Sequence, residues 1–283
     1  GVLPGSIIRI DPLQDGDQPY TVPGDNPFVG EAGVLPEIWA YGLRHPQYFA
    51  WDTGGDGKMI IGEIGENQVE QLELGVAGAN YGWGEREGTF VIDRDNHEII
   101  YELPPWDELR GFTYPVLQYD HDEGDAIATG YVYRGDSIPQ LQGKYIFGDL
   151  SNGRIFYVDI DDLVAGQTVT EFNELRLRYN GVERSLTDII GQRLGTPTER
   201  AELRFGQDED GEVYILSKWD GMVRKLVPAE SLTVANVLDD DGGVLDDVSE
   251  PSGSGGTVAP LVSSSGAVGT GLDDLLGSSI AYA

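Results

Sequence analysis

Arg44-His45-Pro46 is followed, within one strand–turn–strand length, by Glu63-Ile64-Gly65-Glu66. A fixed cation, an imidazole and a loop of oxygen donors so arranged can hold an anionic ligand and a hard metal ion. Guanidinium pairs with carboxylates, imidazole donates or accepts one hydrogen bond, and calcium accepts carboxylate and backbone carbonyl oxygens. The plain alternative is a surface corner held by Pro46. His121, in "QYDHDEGDAIATG", is flanked by Asp120 and Asp122, which favour its protonated form. It is a candidate base or metal ligand, against an ordinary loop histidine. His97, in the polar run "DRDNHEIIYE", reads as exposed.

"DTGGDGKMIIGE" puts Asp52, Asp56, Gly57 and Glu63 at positions 1, 5, 6 and 12 of an EF-hand loop. Position 3 is Gly54, which brings no ligand, and the flanks read as strands, so the stretch is a glycine turn. Glu63, together with the Tyr81 and Glu87 region of "NYGWGEREG", could still serve a structural calcium. Tyr81 and Trp83 themselves read as packing residues. No G-x-G-x-x-G opens a helix after a strand, and no G-x-S-x-G occurs, so nucleotide-binding and nucleophile-elbow chemistries find no support.

The elements that must position these residues are strands. The 283 residues are 40% hydrophobic, with 40 glycines, 14 tyrosines and 5 tryptophans, a bias toward an all-β chain with many turns. Hairpins are expected at Asn152-Gly153, as a two-residue type I′ turn, at Asp220-Gly221, and around Gly54–Gly57. "SIIRIDP" and "TGYVYRG" supply further strands, and "ERSLTDIIGQRL" is the fair helix candidate. Gly57 and Gly211 occupy matching strand–turn–strand contexts 154 residues apart, near three units of about 50. That recurrence suggests a β-propeller, with a β-sandwich as the alternative.

The formal charge is −31, from 49 acidic and 18 basic residues. Such a balance argues against nucleic acid, which needs a basic footprint. No run reaches the roughly 18 apolar residues of a membrane helix, so no membrane span is expected. With no cysteine, thiolate chemistry and disulfides are excluded. From Ser231 onward there is no Lys or Arg but eight acidic residues; removing those eight from −31 leaves −23 for residues 1–230. Two parts are therefore expected: a folded body, 1–230, and an acidic Gly/Ser-rich tail, 231–283, mostly disordered, whose "LDDLLGSSIAYA" end could dock weakly. The opening "GVLPGSIIRIDP" has no leader character, and we expect the chain to begin partway through a longer protein.

"PEIWAYGLRHPQYFAWD" and "IGEIGENQVEQLELGVAGANYGWGEREG" resemble the glucose/sorbosone dehydrogenase family. Further matches are "YTVPGDNPFV", "ATGYVYRGDSIPQLQGKYIFGDLSNGRIF" and "FGQDEDGEVYILS", in the expected order. The resemblance implies a six-bladed β-propeller, here N-terminally truncated to about three to four blades. It also implies pyrroloquinoline quinone (PQQ) and Ca2+ as cofactors, a sugar or sugar aldehyde as substrate, and a periplasmic or extracellular location. The family's catalytic histidine lies in blades before those matched, so the catalytic base is not assigned and His121 is a substitute candidate.

In the family a "GLRNP" corner sets an Arg-Asn pair beside the cofactor; the matching residues are Arg44 and His45. An "EHGP" turn supplies two carbonyls to calcium; the matching stretch "EIGE" gives Gly65 and Glu66, with Glu63 before them. The family's cofactor lysine falls at Ser151, and its arginine pair has no match around Ala201 to Leu203, leaving Arg204 as the nearby cation. The expected reaction is hydride transfer from sugar to quinone, with the electron acceptor unassigned. The alternatives are a non-catalytic propeller of the hedgehog-interacting branch, binding protein or glycan, or a calcium-dependent lactonase.

Overall fold

The computed structural model describes residues 3–13, 16–228, 262–263 and 280–282. The chain separates into two compact units, one of Gly1–Thr129 with Asp159–Glu171, the other of Gly130–Val158 with Phe172–Ala283.

In the first unit, β1 (Ser6–Ile8) pairs antiparallel with β2 (Ile38–Tyr41). A four-stranded antiparallel sheet follows from β3 (Pro46–Trp51), β4 (Met59–Glu63), β5 (Val69–Leu74) and, after an excursion, β9 (Leu117–Asp120). The excursion is a small sheet of β6 (Arg86–Glu87), β7 (Phe90–Ile92) and β8 (Ile100–Glu102). "MIIGE" is buried at all five positions, and its neighbour "VEQLEL" at all but the last, so this sheet is covered on both faces. On one face Ile61 and Met59 pack with Ile7, Ala40, Leu43, Ala79 and Tyr81. On the other, Thr129 Oγ1 occupies the space a Cβ at Gly62 would need, which is why β4 breaks its apolar run with glycine.

The second sheet system starts with β10 (Ile127–Val132), then β11 (Lys144–Asp149), β12 (Ile155–Asp159) and β13 (Asn173–Leu175). A hairpin of β14 (Leu177–Tyr179) and β15 (Val182–Arg184) leads into α1 (Leu186–Leu194). The expected helix is there for a local reason: Ser185 accepts from Asp188 N, and the Asp188 side chain accepts from Ser185 N, a reciprocal cap. The last meander is β16 (Leu203–Gln207), β17 (Val213–Ser217) and β18 (Met222–Pro228). The tail expected over 231–283 lies outside the described residues except β19 (Val262–Ser263) and β20 (Ile280–Tyr282), which pair with β13 and β18.

The Gly57 and Gly211 turns do recur as the same device, with φ of 78° and 81°, each joining two strands of a meander. The turn at Gly153 differs from the expected type I′ form. Its loop runs from 150 to 154, and Gly153 alone has positive φ, because the Asp149 carboxylate accepts from Asn152 N at 2.7 Å and holds Asn152 right-handed. The two-residue Asn-Gly turn with positive φ at both positions is instead Asn180-Gly181, between Tyr179 and Val182. No described helix is long and apolar enough to cross a membrane.

Candidate functional site

The Arg44–His45 corner lies between β2 and β3, and the loop 64–68 between β4 and β5, so strand pairing alone brings them to one end of the sheet. Side chains complete the join. Glu63, the last residue of β4, turns one carboxylate oxygen onto the corner, accepting from Arg44 N and from His45 N, the latter at 3.1 Å. Arg44 reaches back: its Nη1 donates to the Gly65 carbonyl at 2.7 Å and to Ile64 O at 3.3 Å. The guanidinium also lies 5.6 Å from the Trp83 ring centroid. Arg44 and His45 are otherwise exposed, and the His45 ring makes no hydrogen bond among the described residues.

The loop is held from beneath by Glu87, which is fully buried. Its Oε1 accepts from the backbone N–H groups of Glu66, Asn67, Gln68 and Val69, at 2.9 to 3.0 Å. Four amides converging on one carboxylate oxygen form an anion nest filled by the protein's own side chain. Gly65 is required here: a Cβ would meet Val69 O and lie 2.7 Å from Glu87 Oε1. Glu66 points outward, its Oε2 2.9 Å from His97 Nδ1.

Electrostatically the floor is unusual. Glu63 and Glu73 are both buried, and with β4–β5 register pairing Glu63 with Gln71 and Ile61 with Glu73, they share one face. Glu63 Oε2, both Glu73 oxygens and Glu87 Oε2 have no hydrogen-bond partner among the described residues. Burial pushes the Glu63 carboxyl up to about 7, against the opposing pull of the Arg44 and His45 amides. Burial, with the Glu63 charge added, holds the Glu73 carboxyl well above the ordinary range. Tyr81 lies over this face and donates to Leu74 O at 2.6 Å; burial raises its phenol too.

The remaining candidates lie elsewhere. His121 Nε2 is 3.4 Å from Glu70 Oε1, and Glu70 Oε2 accepts from Ile127 N at 2.8 Å. Strand alternation puts Glu70 on the sheet face opposite Glu63, so His121 is not brought to the Arg44 corner. Arg204, on β16 between the buried Leu203 and Phe205, sits in the other unit and donates to Leu203 O at 2.7 Å. Ser151 accepts from Ala201 N through its carbonyl at 2.8 Å. The Asp52 turn closes as a β-hairpin, Gly57 N donating to Asp52 O at 3.2 Å, without EF-hand geometry. No group of three or more metal-ligating side chains occurs among the described residues.

Two roles escaped sequence reading. The sequence points to Glu87 only as a metal candidate and does not point to Glu73, because a carboxylate's burial depends on neighbours from other strands. The "Glu-Gly" after "NYGW" was the available signal for Glu87, since Gly88 admits the close approach of Gln118 Oε1 at 2.6 Å of its would-be Cβ.

Comparison with known proteins accords with this architecture. The family model for glucose/sorbosone dehydrogenase matches residues 2–185. HIPL2 protein of Arabidopsis thaliana is 33% identical over 223 residues, covering 74% of this chain and 30% of the relative. Aldose sugar dehydrogenase YliI of Escherichia coli is 28% identical over 220 residues, covering 76% of this chain and 48% of the relative. The chain thus spans less than half the length of these relatives. A crystal structure of glucose dehydrogenase superposes with a TM-score of 0.52 at 24% identity, covering 80% of this chain and 55% of that one, which identifies the β-propeller type of fold. The sheets, their order and the matched residues together make this chain a member of the glucose/sorbosone dehydrogenase family.

Proposed function

We propose that the chain contributes one wall of a quinoprotein sugar dehydrogenase site. The observation that carries this reading is the Arg44–Gly65 contact: the cation and the carbonyl loop matched to the family's cofactor motifs meet at 2.7 Å.

The residues fit an anionic, aromatic cofactor in part. Arg44 supplies the cation for a carboxylate, Trp83 backs it, and Glu63 with an unpartnered buried oxygen fixes the corner from below. PQQ with calcium, when bound, would accept hydride from a sugar carbon. Calcium would draw on the carbonyls of Gly65 and Glu66 and on Glu63, with Arg44 yielding the Gly65 carbonyl to do so. The chain's own contribution is therefore binding and orientation: Glu87 fixes the loop's amides, Glu63 fixes the corner's amides, and Arg44 bridges them. His121, held by Glu70 on the opposite face of the sheet, does not reach this corner, so the proton acceptor is not assigned to it. A location outside the cytoplasm belongs to the same proposal.

Titration of the chain with PQQ and Ca2+ tests it. The reading expects a change in quinone absorbance, a raised melting temperature and loss of both in Arg44→Ala. No absorbance change, no thermal shift and no dye-linked oxidation of aldoses would overturn it.

A second reading has one specific observation in its favour. Arg44 already satisfies the Gly65 carbonyl, and Glu87 the loop amides, so the corner closes on itself without any ligand. A non-catalytic propeller could keep it as pure structure. In that case Arg44→Ala lowers stability equally with and without PQQ.

A further inference from the structure

The small sheet β6–β8 and the segment that follows it, 104–110, enclose a cleft of about 330 Å³, apart from the Arg44 corner and its loop. Trp106 and Tyr101 line it and are both more than half exposed. Tyr101 is steadied by its hydroxyl donating to Asp93 Oδ2 at 2.9 Å. Trp106 is covered by no aromatic or cationic side chain, and its indole N–H has no acceptor among the described residues. The ring thus offers an open face for stacking and a donor free for a ligand.

The polar groups of the cleft are of two kinds. Glu85 is clamped, accepting from Arg110 Nη2 at 2.6 Å, with Arg94 3.7 Å away on its other oxygen. Glu102 and the Arg94 guanidinium, by contrast, form no side-chain hydrogen bond among the described residues, and both line the cleft. The third arginine of the lining, Arg86, is buried and neutralised by Asp107. The lining sets three arginines against Glu85 and Glu102, and Asp107 neutralises Arg86 from beneath, so the cleft carries no surplus charge. That balance disfavours an anion or a cation as occupant. Aromatic faces beside planar, ion-paired hydrogen-bonding groups suit a ligand that is apolar on its faces and rich in hydroxyls at its edges. A pyranose ring has that construction: its C–H face covers an aromatic ring, and its equatorial hydroxyls both donate and accept. The volume lies at the small end for ligand clefts, enough for a short chain rather than a polymer surface.

We propose that this cleft binds a short neutral oligosaccharide, with Trp106 as stacking platform and Glu102 and Arg94 as hydroxyl partners. The site is independent of quinone chemistry, and its test contains neither PQQ nor calcium. Cellotriose, maltotriose and a heparin-derived tetrasaccharide are titrated against the chain, read by saturation-transfer NMR and by tryptophan fluorescence. Saturable binding of a neutral trisaccharide is expected, weakened at least about tenfold in Trp106→Ala and severalfold in Arg94→Ala. The melting temperature should be unchanged in Trp106→Ala, since the ring is exposed, and Trp219→Ala, at another exposed tryptophan, should bind as the parent does. Absence of saturable binding by either neutral sugar overturns the proposal. So does binding confined to the sulfated tetrasaccharide, or affinity for a neutral sugar that survives Trp106→Ala.

Discussion

Glu87 and Val69 are joined by the last of four backbone N–H bonds that converge on one buried carboxylate oxygen, at 3.0 Å. Because the same oxygen holds Glu66, Asn67 and Gln68, the loop that presents the Gly65 carbonyl is set by a residue from a different sheet. Glu87→Gln keeps the shape but removes the charge from these bonds and should cost about 2 kcal/mol. The check is denaturant unfolding combined with hydrogen exchange, in which the amides of residues 66–69 should lose protection before those of β4.

Gly65→Ala tests the same loop sterically. The added methyl would meet Val69 O and Glu87 Oε1, so the loop must shift, at about 1–3 kcal/mol. The Arg44 bond to Gly65 O should weaken with it, freeing the guanidinium; unchanged stability in thermal melts would contradict the close approach.

The Glu63–Glu73 pair makes a pH prediction with a definite sign. Both native carboxyls lie above the ordinary value, Glu63 at about 7 and Glu73 well above the usual carboxylate range, chiefly through burial. The native state therefore holds protons that the unfolded chain releases. Both contributions are fully present below about pH 4.5 and are lost as pH rises, that of Glu63 through about 7. Glu73→Gln supplies permanently what protonation supplies, so its melting temperature should fall less than the parent's between pH 5 and pH 8. Parallel pH profiles for the two proteins would refute this assignment.

Arg86 and Asp107 form a buried ion pair, reinforced by the Tyr114 hydroxyl on Asp107 and by the Phe112 ring 5.0 Å from the guanidinium. Asp107→Ala leaves a buried cation without its partner and should cost about 3–5 kcal/mol. Arg86→Met combined with Asp107→Leu should recover most of it, which a double-mutant cycle on chemical unfolding would read directly.

Period-two strands, glycine turns, the capped helix and the ordered family motifs were all legible in the chain, because each depends on residues close in sequence. The hairpin at Gly54–Gly57 and the helix after Ser185 follow from such local chemistry. Turn type was not always so local: Asn152-Gly153 and Asn180-Gly181 carry the same dipeptide, and the Asp149 carboxylate separates their conformations. Arg44 and Gly65 could be named from motifs, yet their 2.7 Å contact required pairing of β3 with β4.

What the sequence determined alone was composition-level and local: an acidic, cysteine-free, strand-and-turn chain with a cation corner and an oxygen-rich loop near each other. Only the tertiary structure decided which acids are buried, that Glu87 holds the loop, that Glu63 and Glu73 share a face, and that His121 faces the other way. The reason is physical. Propensity and turn chemistry act over a few residues, whereas burial and hydrogen-bond satisfaction depend on groups brought together from distant strands.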